Sequence, residues 1–252
     1  MHAGYGILAD VYDRWQSSYG KTYSELIFPR LLAVLRAHRI GGRSMVDVAC
    51  GTGTLGLMMA RRGWEVFGID ASAGMIEQAE AKAAASGLGS VHFLRQDMRT
   101  FRLPVKVALA TSFFDSLNHL LVPEDLRSAF RSVREALHPG GWFLFDLNNE
   151  RCFLRLWSHT DTVTFDGCSM ILENSYDQGK RLATSHVILH LPGTESEQRK
   201  EETVCERCYP PEEVRWLLED AGFLVRECVD FSFSHAPAIG KVKTWWVAET
   251  RP

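Results

Sequence analysis

A short glycine-rich segment limits what this chain can fold into more than any other part of its sequence. The segment reads VDVACGTGTLGLMMA over residues 46–60, and Gly51, Gly53 and Gly56 have the spacing G-x-G-x-x-G directly after an apolar run. An apolar run followed by such a loop is typical of a buried strand that turns into a helix, where the loop backbone approaches a bound ligand. The spacing alone admits a dinucleotide, a nucleotide, or a ligand that has no phosphate.

Strands and helices alternate around this segment. Continuous apolar runs predict five strands, as expected for strands that are covered on both faces. These runs lie at 44–49, 64–70, 91–97, 105–111 and 142–148. Helices are predicted at 4–17, 23–39, 54–62, from Ser72 to Gly87, and at 123–137, and Pro139-Gly140-Gly141 is predicted to form a turn. Alternation with short connections predicts an α/β fold with a doubly wound, mainly parallel sheet.

The pattern changes after the fifth strand. Residues 162–209 alternate between polar and apolar side chains, which predicts an antiparallel β insertion. A helix beginning at Pro210-Pro211 and two further strands then complete a seven-stranded sheet. We therefore expect a single domain over 1–252. Its predicted parts are an N-terminal helical cap (1–43), a cofactor-binding core (44–150), a β insertion over about 160–209 and a C-terminal helix with the last two strands (210–252).

Composition narrows the classes of partner. The net charge is −3 and the isoelectric point about 6.3, so the strongly basic surface typical of nucleic-acid binding is not expected. The sequence shows neither a signal-peptide pattern nor an apolar run long enough to span a bilayer, so we expect a cytoplasmic location and no membrane partner. Six scattered cysteines are expected to be reduced thiols, and no metal site is predicted.

The charges near the glycine loop indicate the chemistry of the ligand. In such a fold the ligand lies outside the carboxyl ends of the strands, where Asp70 ends the second strand and can accept hydrogen bonds from ribose hydroxyls. Asp47 precedes the loop, and the loop has no lysine. A carboxylate is unfavourable beside a pyrophosphate but favourable beside an ammonium or a sulfonium. These features favour S-adenosylmethionine, which has both cations and no phosphate.

Five successive segments resemble the motifs of class I S-adenosylmethionine-dependent methyltransferases. They are VDVACGTGTLGLMMA, GIDASAGMIEQAE, FLRQDMR, SFFDSLNHL and LHPGGWFLFDLN, and they cover about residues 44–147. The N-terminal YDRW and the DSLNHL segment are similar to those of small bacterial YqeM-like methyltransferases. The predicted insertion is similar in architecture to that of aminosugar N-methyltransferases. The resemblance implies the Rossmann-like methyltransferase fold, with S-adenosyl-L-methionine as cofactor and S-adenosyl-L-homocysteine as product.

The resemblance also implies roles for individual residues. The glycine loop, with Ala49, Gly51 and Gly53, would approach the methionine end, Asp47 would attract its ammonium, and Asp70 would bind the ribose. The other expected cofactor contacts are the adenine neighbours Ala71, Met75, Asp97 and Met98, then Phe113 near the sulfonium, and Tyr12 and Trp15 as a cover. A purely structural role is the alternative for Asp47, Asp97, Met75, Tyr12 and Trp15.

The acceptor side is predicted near the ends of the fourth and fifth strands. His119 is the candidate general base, and its alternative is a structural hydrogen bond near a helix start. Asp115, Asn118, Asn148 and Tyr209 are expected to line the substrate pocket. Transfer to O or N of a small-molecule acceptor by in-line displacement is the leading hypothesis.

Three alternatives to this hypothesis stay open at this point. They are methylation of a protein or an RNA, a nicotinamide-dependent oxidoreductase, and a cofactor-binding protein without catalytic activity. The sequence leaves the oligomeric state open as well, a homodimer included.

Overall fold

The computed structural model describes residues 6–192, 198–232 and 240–251 of the chain. Two helices come first, α1 (Tyr12–Ser17) and α2 (Tyr23–Ala37). Helix α2 begins with a reciprocal cap, in which the Thr22 hydroxyl accepts from the Glu25 N–H and the Glu25 carboxylate accepts from the Thr22 N–H. Within the described residues no helix is long and apolar enough to cross a membrane.

A seven-stranded sheet forms the centre of the molecule. Its strands are β1 (Ser44–Val48), β2 (Glu65–Asp70), β3 (Val91–Arg95), β4 (Val107–Ser112), β5 (Leu137–Asn148), and the last two strands of the chain, Phe223–Phe231 and Lys243–Thr250. The helices between them are α3 (Thr54–Ala60), α4 (Ala73–Ser86), a short 3₁₀ helix (Ser116–His119) and α5 (Pro123–Ala136). The first five strands pair in parallel in the spatial order β5-β4-β1-β2-β3, and the last two strands add antiparallel.

The insertion forms a separate four-stranded antiparallel sheet. After α6 (Glu150–Leu156) come β6 (Thr160–Phe165), β7 (Cys168–Asp177), β8 (Leu182–Leu191) and β9 (Gln198–Arg207), which pair in sequence order. Helix α7 (Pro211–Asp220) then leads to β10 (Phe223–Phe231) and β11 (Lys243–Thr250). The structure confirms the predicted mainly parallel sheet with its antiparallel insertion after the fifth strand.

Two apolar layers cover the faces of the central sheet. Trp245 and Trp246 are neighbours on β11 and point to opposite faces, as side chains on a strand must. Trp246 packs with Phe145 in one layer, whereas Trp245 stacks on Phe113 in the other. Both tryptophans are buried, as are most residues of this strand, because the central sheet is covered on both faces.

A third cluster joins the N-terminus to the insertion. Leu8 and Val11 pack against the inner face of the insertion sheet, which contributes Phe165, Met170 and Val187. The partly buried rings of Tyr12 and Trp15 lie at the margin of the same cluster. The insertion and the N-terminal segment therefore form one cover over the carboxyl edge of the sheet.

Some predicted elements were wrong in their bounds. The first helix begins at Tyr12, and the described residues before it, 6–11, form turns because Leu8 and Val11 are directed into the insertion. Helix α6 was not predicted, since its seven residues are too few for a clear helical period.

The predicted turn at Pro139-Gly140-Gly141 lies inside β5 as an irregularity in the strand pairing. Gly140 takes a φ of +71° there. The Thr250 hydroxyl holds this part of the strand by accepting from the Gly141 N–H and donating to the His138 carbonyl. The irregularity therefore bends the strand without ending it.

Candidate active site

A cavity with about 490 Å³ of empty space lies at the carboxyl ends of β1 and β4. It is bounded by the glycine loop, the N-terminal helices and the segment that follows β4. The lining residues are Tyr12, Asp13, Gln16, Tyr23, Ser24, Asp47, Ala49, Cys50, Gly51, Thr52, Thr54, Leu55, Phe113, Phe114 and Ser116. Five residues predicted to bind cofactor are thus brought together, and the lining contains two carboxylates and no lysine or arginine.

The glycine loop supplies the floor of this cavity. Ala49, Gly51 and Gly53 all have a positive φ, so the chain reverses sharply between β1 and α3. A Cβ atom on Gly51 would point into open space, with only a ring carbon of Tyr12 at 3.9 Å. A Cβ atom on Gly53 would instead lie 2.4 Å from the ring of Phe93. Gly51 therefore leaves room for a ligand, whereas the constraint on Gly53 is packing inside the protein.

Asp70 holds the loop in shape through its carboxylate. One oxygen accepts from the Gly51 N–H at 2.9 Å and the other from the Ser72 N–H at 2.9 Å. Burial raises the pKa of Asp70, and the backbone donors oppose that shift. Each oxygen keeps a further lone pair, so the group can still accept from a hydroxyl of a ligand.

Asp47 is a buried carboxyl directly beside the cavity. Its Oδ1 accepts from the Thr111 hydroxyl at 2.6 Å across the β1–β4 pairing. Burial raises the pKa of Asp47 to about 7, in part offset by that hydrogen bond. A cationic group bound in the cavity would favour the ionised form and so lower this pKa.

Four predicted adenine neighbours do not line the cavity. Asp97 is held by the Arg99 guanidinium, whose Nη2 lies 2.5 Å from Oδ2, and this pairing lowers the pKa of Asp97. Met75 is buried on α4, Met98 packs against the core, and Ala71 is exposed. Their roles in adenine binding stay predictions.

Helix α1 is tied to the glycine loop by a polar network that the sequence did not indicate. The Thr52 hydroxyl donates to Asp13 at 2.5 Å, and the Lys82 ammonium of α4 donates to Asp13 at 2.6 Å. Lys82 also donates to the hydroxyls of Thr52 and Thr54. Tyr12 therefore lines the cavity from a fixed helix, and the Trp15 ring packs against it with the ring centroids 5.6 Å apart. The role of Trp15 as a cover stays a prediction.

The segment after β4 has an unusual backbone. Phe114 and Asp115 both have a positive φ, which is uncommon outside glycine and is stabilised only by specific contacts. The contacts come from Asp146 at the end of β5, whose carboxylate accepts from both of their N–H groups at 3.1 and 2.8 Å. Asp146 also accepts from the Tyr23 hydroxyl at 2.6 Å, and the Tyr23 ring stacks on Phe114. This backbone turn aims the Phe114 ring into the cavity.

A buried lysine from the last strand completes this arrangement. The Lys243 ammonium lies 2.5 Å from Asp115 Oδ1 and 3.3 Å from Asp146 Oδ1, behind the rings of Tyr23 and Phe114. The two carboxylates raise the pKa of Lys243 against the effect of burial, and Lys243 in turn lowers the pKa of Asp115. Sequence analysis missed both Lys243 and Asp146, because each lies on a strand that otherwise appears to be core.

His119 lies beside this charged group. Its Nδ1 is 3.1 Å from the Cys205 carbonyl, and its Nε2 is 3.9 Å from Glu206 Oε1. Burial is the largest influence on His119 and lowers its pKa, so the neutral ring is favoured. The histidine is about one-quarter exposed, whereas Glu206 is buried behind it. His119 therefore has the protonation state that a general base requires.

Asn118 and Asn148 connect the core to the insertion. The Asn118 carboxamide accepts from the Asn148 N–H at 2.9 Å and donates to the Arg207 carbonyl at 2.8 Å. The Asn148 amide donates to Glu206 Oε2 at 2.9 Å. Both side chains are buried, so their observed contacts are structural, and their predicted role in holding an acceptor stays a prediction.

Tyr209 differs from its predicted role. Its hydroxyl donates to the Leu120 carbonyl, and its ring is buried in the main core. It borders, with Asn148, a second cavity of about 720 Å³ between the end of β5 and α7. The hydroxyl is thus already engaged, because the turn after β9 carries this ring beneath the insertion.

Three potential metal ligands come together in the described part of the chain. Ligand atoms of Asp115, His119 and Glu206 all lie within 4.8 Å of one another. The Lys243 ammonium already supplies a positive charge to Asp115 at this point. All six cysteines are free thiols.

Comparison with known proteins agrees with this geometry. Residues 45–141 match the methyltransferase-domain family. The YqeM protein of Bacillus subtilis (strain 168), which is provisionally named a methyltransferase, is 28% identical over 225 residues, covering 88% of this chain and 90% of that protein. The crystal structure of an S-adenosylmethionine-dependent methyltransferase from Clostridium acetobutylicum has a TM-score of 0.83 at 21% identity, over 98% of this chain and 99% of that one, and shows the same fold.

The chain is an S-adenosylmethionine-dependent methyltransferase with S-adenosyl-L-methionine as its cofactor, and it is similar to the class I enzymes of this kind. Within that class it is similar to the YqeM-like proteins. It is also 31% identical over 166 residues to an N,N-dimethyltransferase of Streptomyces venezuelae named for dTDP-3-amino-3,4,6-trideoxy-alpha-D-glucopyranose. That match covers 63% of this chain and 65% of the relative.

Proposed function

We propose that this enzyme transfers the methyl group of S-adenosylmethionine to a nitrogen or oxygen of a small molecule. The observation that carries the proposal is a cavity with carboxylates and no basic residue in its lining. His119, whose pKa is lowered by burial, lies on the 3₁₀ helix that begins at the lining residue Ser116. The similarity to the Streptomyces dimethyltransferase, whose name specifies an aminosugar, supports nitrogen as the acceptor atom.

The lining of the cavity fits the methionine end of the cofactor. Gly51 leaves space for it, and Asp47 would attract its ammonium. Asp70 would accept from the ribose hydroxyls with the lone pairs that the loop does not use. The rings of Tyr12, Phe113 and Phe114 would enclose the sulfonium and keep water away from it.

Methyl transfer needs alignment more than it needs acid or base groups. The cofactor supplies the electrophilic methyl group and the leaving sulfur. The protein must hold the acceptor in line with the C–S bond, because correct placement replaces a bimolecular encounter. Helix α1 contributes Tyr12, Asp13 and Gln16 to the lining of the cavity, and the insertion packs on the segment that precedes this helix. His119 Nε2 is the candidate acceptor for the proton that the substrate loses.

A small molecule is favoured over a macromolecule by the construction of the cover. The insertion packs on the N-terminal segment, so the space above the sheet is enclosed on two sides. The formal charge of −3 gives no general attraction to RNA. Both features support a small molecule as the acceptor that we propose.

Two measurements test the proposal in order. Calorimetry should show binding of S-adenosylmethionine and S-adenosylhomocysteine and no comparable binding of NAD; preference for NAD would refute it. Candidate amines, aminosugars and phenols should then be screened as acceptors by measuring the release of S-adenosylhomocysteine.

Once an acceptor is known, the role of His119 can be tested. His119→Ala should lower kcat by about 10²-fold or more and leave cofactor affinity unchanged. Full activity of that variant would leave His119 a structural role.

A further inference from the structure

Glu206 stands out among the buried polar groups of the described residues. It lies near the end of β9 and is fully buried. Its Oε2 accepts from the Asn148 amide, but no donor group of the described residues reaches its Oε1, which lies 3.9 Å from His119 Nε2. The carboxyl group beside it is that of Asp115, and a hydrogen bond between the two requires a proton on one of them. An ionised carboxylate in this position would lack compensation for one of its oxygens, which is costly in the protein interior.

The nearby positive charge is committed elsewhere. Lys243 donates to Asp115 and Asp146, and no direct contact between its ammonium and Glu206 is observed. Three carboxyl groups thus share one ammonium. With all three carboxyl groups ionised the cluster would have a net charge of −2, and a proton on one of them reduces this to −1. Glu206 is the carboxyl group without a direct cation, so it is the one expected to keep a proton.

Strand β9 also determines the tautomer of His119. The Cys205 carbonyl can only accept a hydrogen bond, so the Nδ1 atom opposite it carries the hydrogen. In the neutral ring Nε2 is then the basic atom, and it is the atom nearest to Glu206. Two consecutive residues of the insertion, Cys205 and Glu206, therefore hold one residue of the core.

We propose that Glu206 is a positioning residue of the methyl-transfer site, a neutral acid that faces His119 Nε2 and keeps this ring ready to take a proton from the acceptor. This inference rests on the proposed function. It adds that the insertion, besides covering the site, sets the protonation state of the candidate base.

This arrangement provides a path for the proton that an acceptor amine loses during methyl transfer. The lone pair of an acceptor amine forms the N–C bond to the methyl group while the C–S bond breaks and its electron pair stays on sulfur. The surplus N–H proton passes to His119 Nε2. The Asp115–Glu206 pair carries one negative charge and stabilises the imidazolium until the proton is released to solvent.

The surrounding charges agree with a neutral Glu206. Burial raises the pKa of Glu206, and the Asp115 carboxylate raises it further through its charge and by accepting a hydrogen bond from the protonated acid. The Asn148 amide and Lys243 oppose the shift. The remaining titratable groups near it are His119 on the 3₁₀ helix and the Cys152 thiol on α6. Because the folded pKa lies above the unfolded one, ionisation of the unfolded chain lowers stability as pH rises from the unfolded pKa towards the folded pKa.

Glu206→Gln tests the proposal without any knowledge of the acceptor, because glutamine copies the shape of a neutral acid and cannot ionise. We expect its melting temperature to match wild type near pH 5 and to exceed it by at least about 3 °C at pH 8. Glu201→Gln, an exposed change on the same strand, should show no such trend. A melting temperature of Glu206→Gln below wild type at pH 8 would mean an ionised Glu206 and overturn the proposal.

Carbon-13 NMR of carboxyl-labelled glutamates in the wild-type enzyme gives a second reading that needs no variant. One glutamate should remain protonated at pH 7, and long-range nitrogen-15 spectra should show His119 as the Nδ1–H tautomer. Full ionisation of every glutamate at pH 7 would refute the proposal. So would Mn²⁺ binding to the wild-type enzyme that Glu206→Gln abolishes, since the group would then be a metal site.

S-adenosylhomocysteine binding, measured in parallel, reports separately on the proposed function. If that binding is absent, the proposed function fails; if it is present and Glu206 is ionised, only the present inference fails.

Discussion

The two sides of the cavity are built in different ways. On the side proposed for the cofactor, Asp47, Gly51 and Asp70 lie within one strand–loop–helix–strand unit, in which the Gly51 N–H donates to Asp70 and β1 pairs with β2. On the acceptor side, Asp115 and Lys243 are 128 residues apart, and Glu206 comes from the insertion. The first region is a local unit whose shape depends on glycine conformations, whereas the second is a buried ionic cluster assembled from four parts of the chain.

This difference indicates how each region tolerates change. A local loop can lose a ligand contact and still fold, because its own hydrogen bonds remain. A buried ionic cluster loses stability when one member is removed, because the remaining charges stay buried without a partner. Cofactor binding and folding should therefore respond separately to substitutions on the two sides.

The largest effect on cofactor binding is expected at Gly51. In Gly51→Val the side chain would enter the cavity from a residue with φ +54°, so S-adenosylhomocysteine affinity should fall by more than about 100-fold. Gly87→Val is the matched control, since Gly87 has a similar φ of +64° but faces open space at the end of α4. Calorimetry should show normal binding for the control; normal binding for Gly51→Val would remove this loop from the site.

Substitutions in the buried ionic cluster on the proposed acceptor side are expected to lower the free energy of unfolding. Lys243→Met leaves Asp115 and Asp146 buried without their cation and should destabilise the fold by about 3–5 kcal/mol. Denaturant unfolding with and without S-adenosylhomocysteine measures this. Lys180→Met, on an exposed pair in the β7–β8 turn, should be nearly neutral. A stable Lys243→Met variant would mean that the cluster does not depend on this charge.

A smaller effect is expected at Asp70. Asp70→Ala should weaken binding of S-adenosylmethionine by about 2 kcal/mol, through the loss of charge-assisted hydrogen bonds to the ribose and of support for the loop. Glu65→Gln, at the exposed start of the same strand, serves as control. An unchanged dissociation constant for Asp70→Ala would exclude this carboxylate from the cofactor site.

The pH dependence of cofactor binding should depend on Asp47. Burial raises the pKa of Asp47 to about 7, and the cationic cofactor binds best to the ionised form. Affinity should therefore increase with pH between about 5 and 8, by at most about tenfold per pH unit. In Asp47→Asn this dependence should disappear. Calorimetry in buffers of different ionisation enthalpy checks it, since wild type should release protons on binding at pH 6.5.

The smallest effect is expected at the Asp13–Lys82 contact. Both side chains are about one-third exposed, so the ion pair should contribute only about 0.5–1 kcal/mol to holding α1 on the glycine loop. A double-mutant cycle with Asp13→Asn and Lys82→Met, read by melting temperature and by cofactor affinity, measures the coupling. A coupling above about 2 kcal/mol would show that the cover is anchored mainly by this network.

Much of the cofactor side could be predicted because its signals are local. Gly51, Asp47 and Asp70 lie at fixed distances from strand ends, and the strands are apolar enough to be recognised from sequence alone. The role predicted for Gly53 was the exception, since the ring of Phe93 that crowds it comes from a different strand. The packing of Phe93 against Gly53 joins two distant segments of the chain, so no local sequence pattern indicates it.

The acceptor side could be predicted only in part. His119 and Asp115 could be named as candidates because they follow the fourth strand, but their partners Asp146, Glu206 and Lys243 each lie on strands with no motif. Tyr209 was placed in the substrate pocket, whereas the turn after β9 buries its ring in the core. A buried charge has meaning only in relation to its neighbours, and those neighbours are determined by strand order.

The amino-acid sequence by itself determined the class of fold, the glycine-loop geometry and the preference for a cationic adenosine ligand. These follow from periodicity, from backbone freedom at glycine and from the sign of nearby charges, all of which act over short stretches of chain. Only the tertiary structure decided which carboxylates share the ammonium of Lys243 and which residue of the insertion faces His119. Those pairings depend on the order of strands in two sheets, because electrostatic interactions in the interior are set by distance in space.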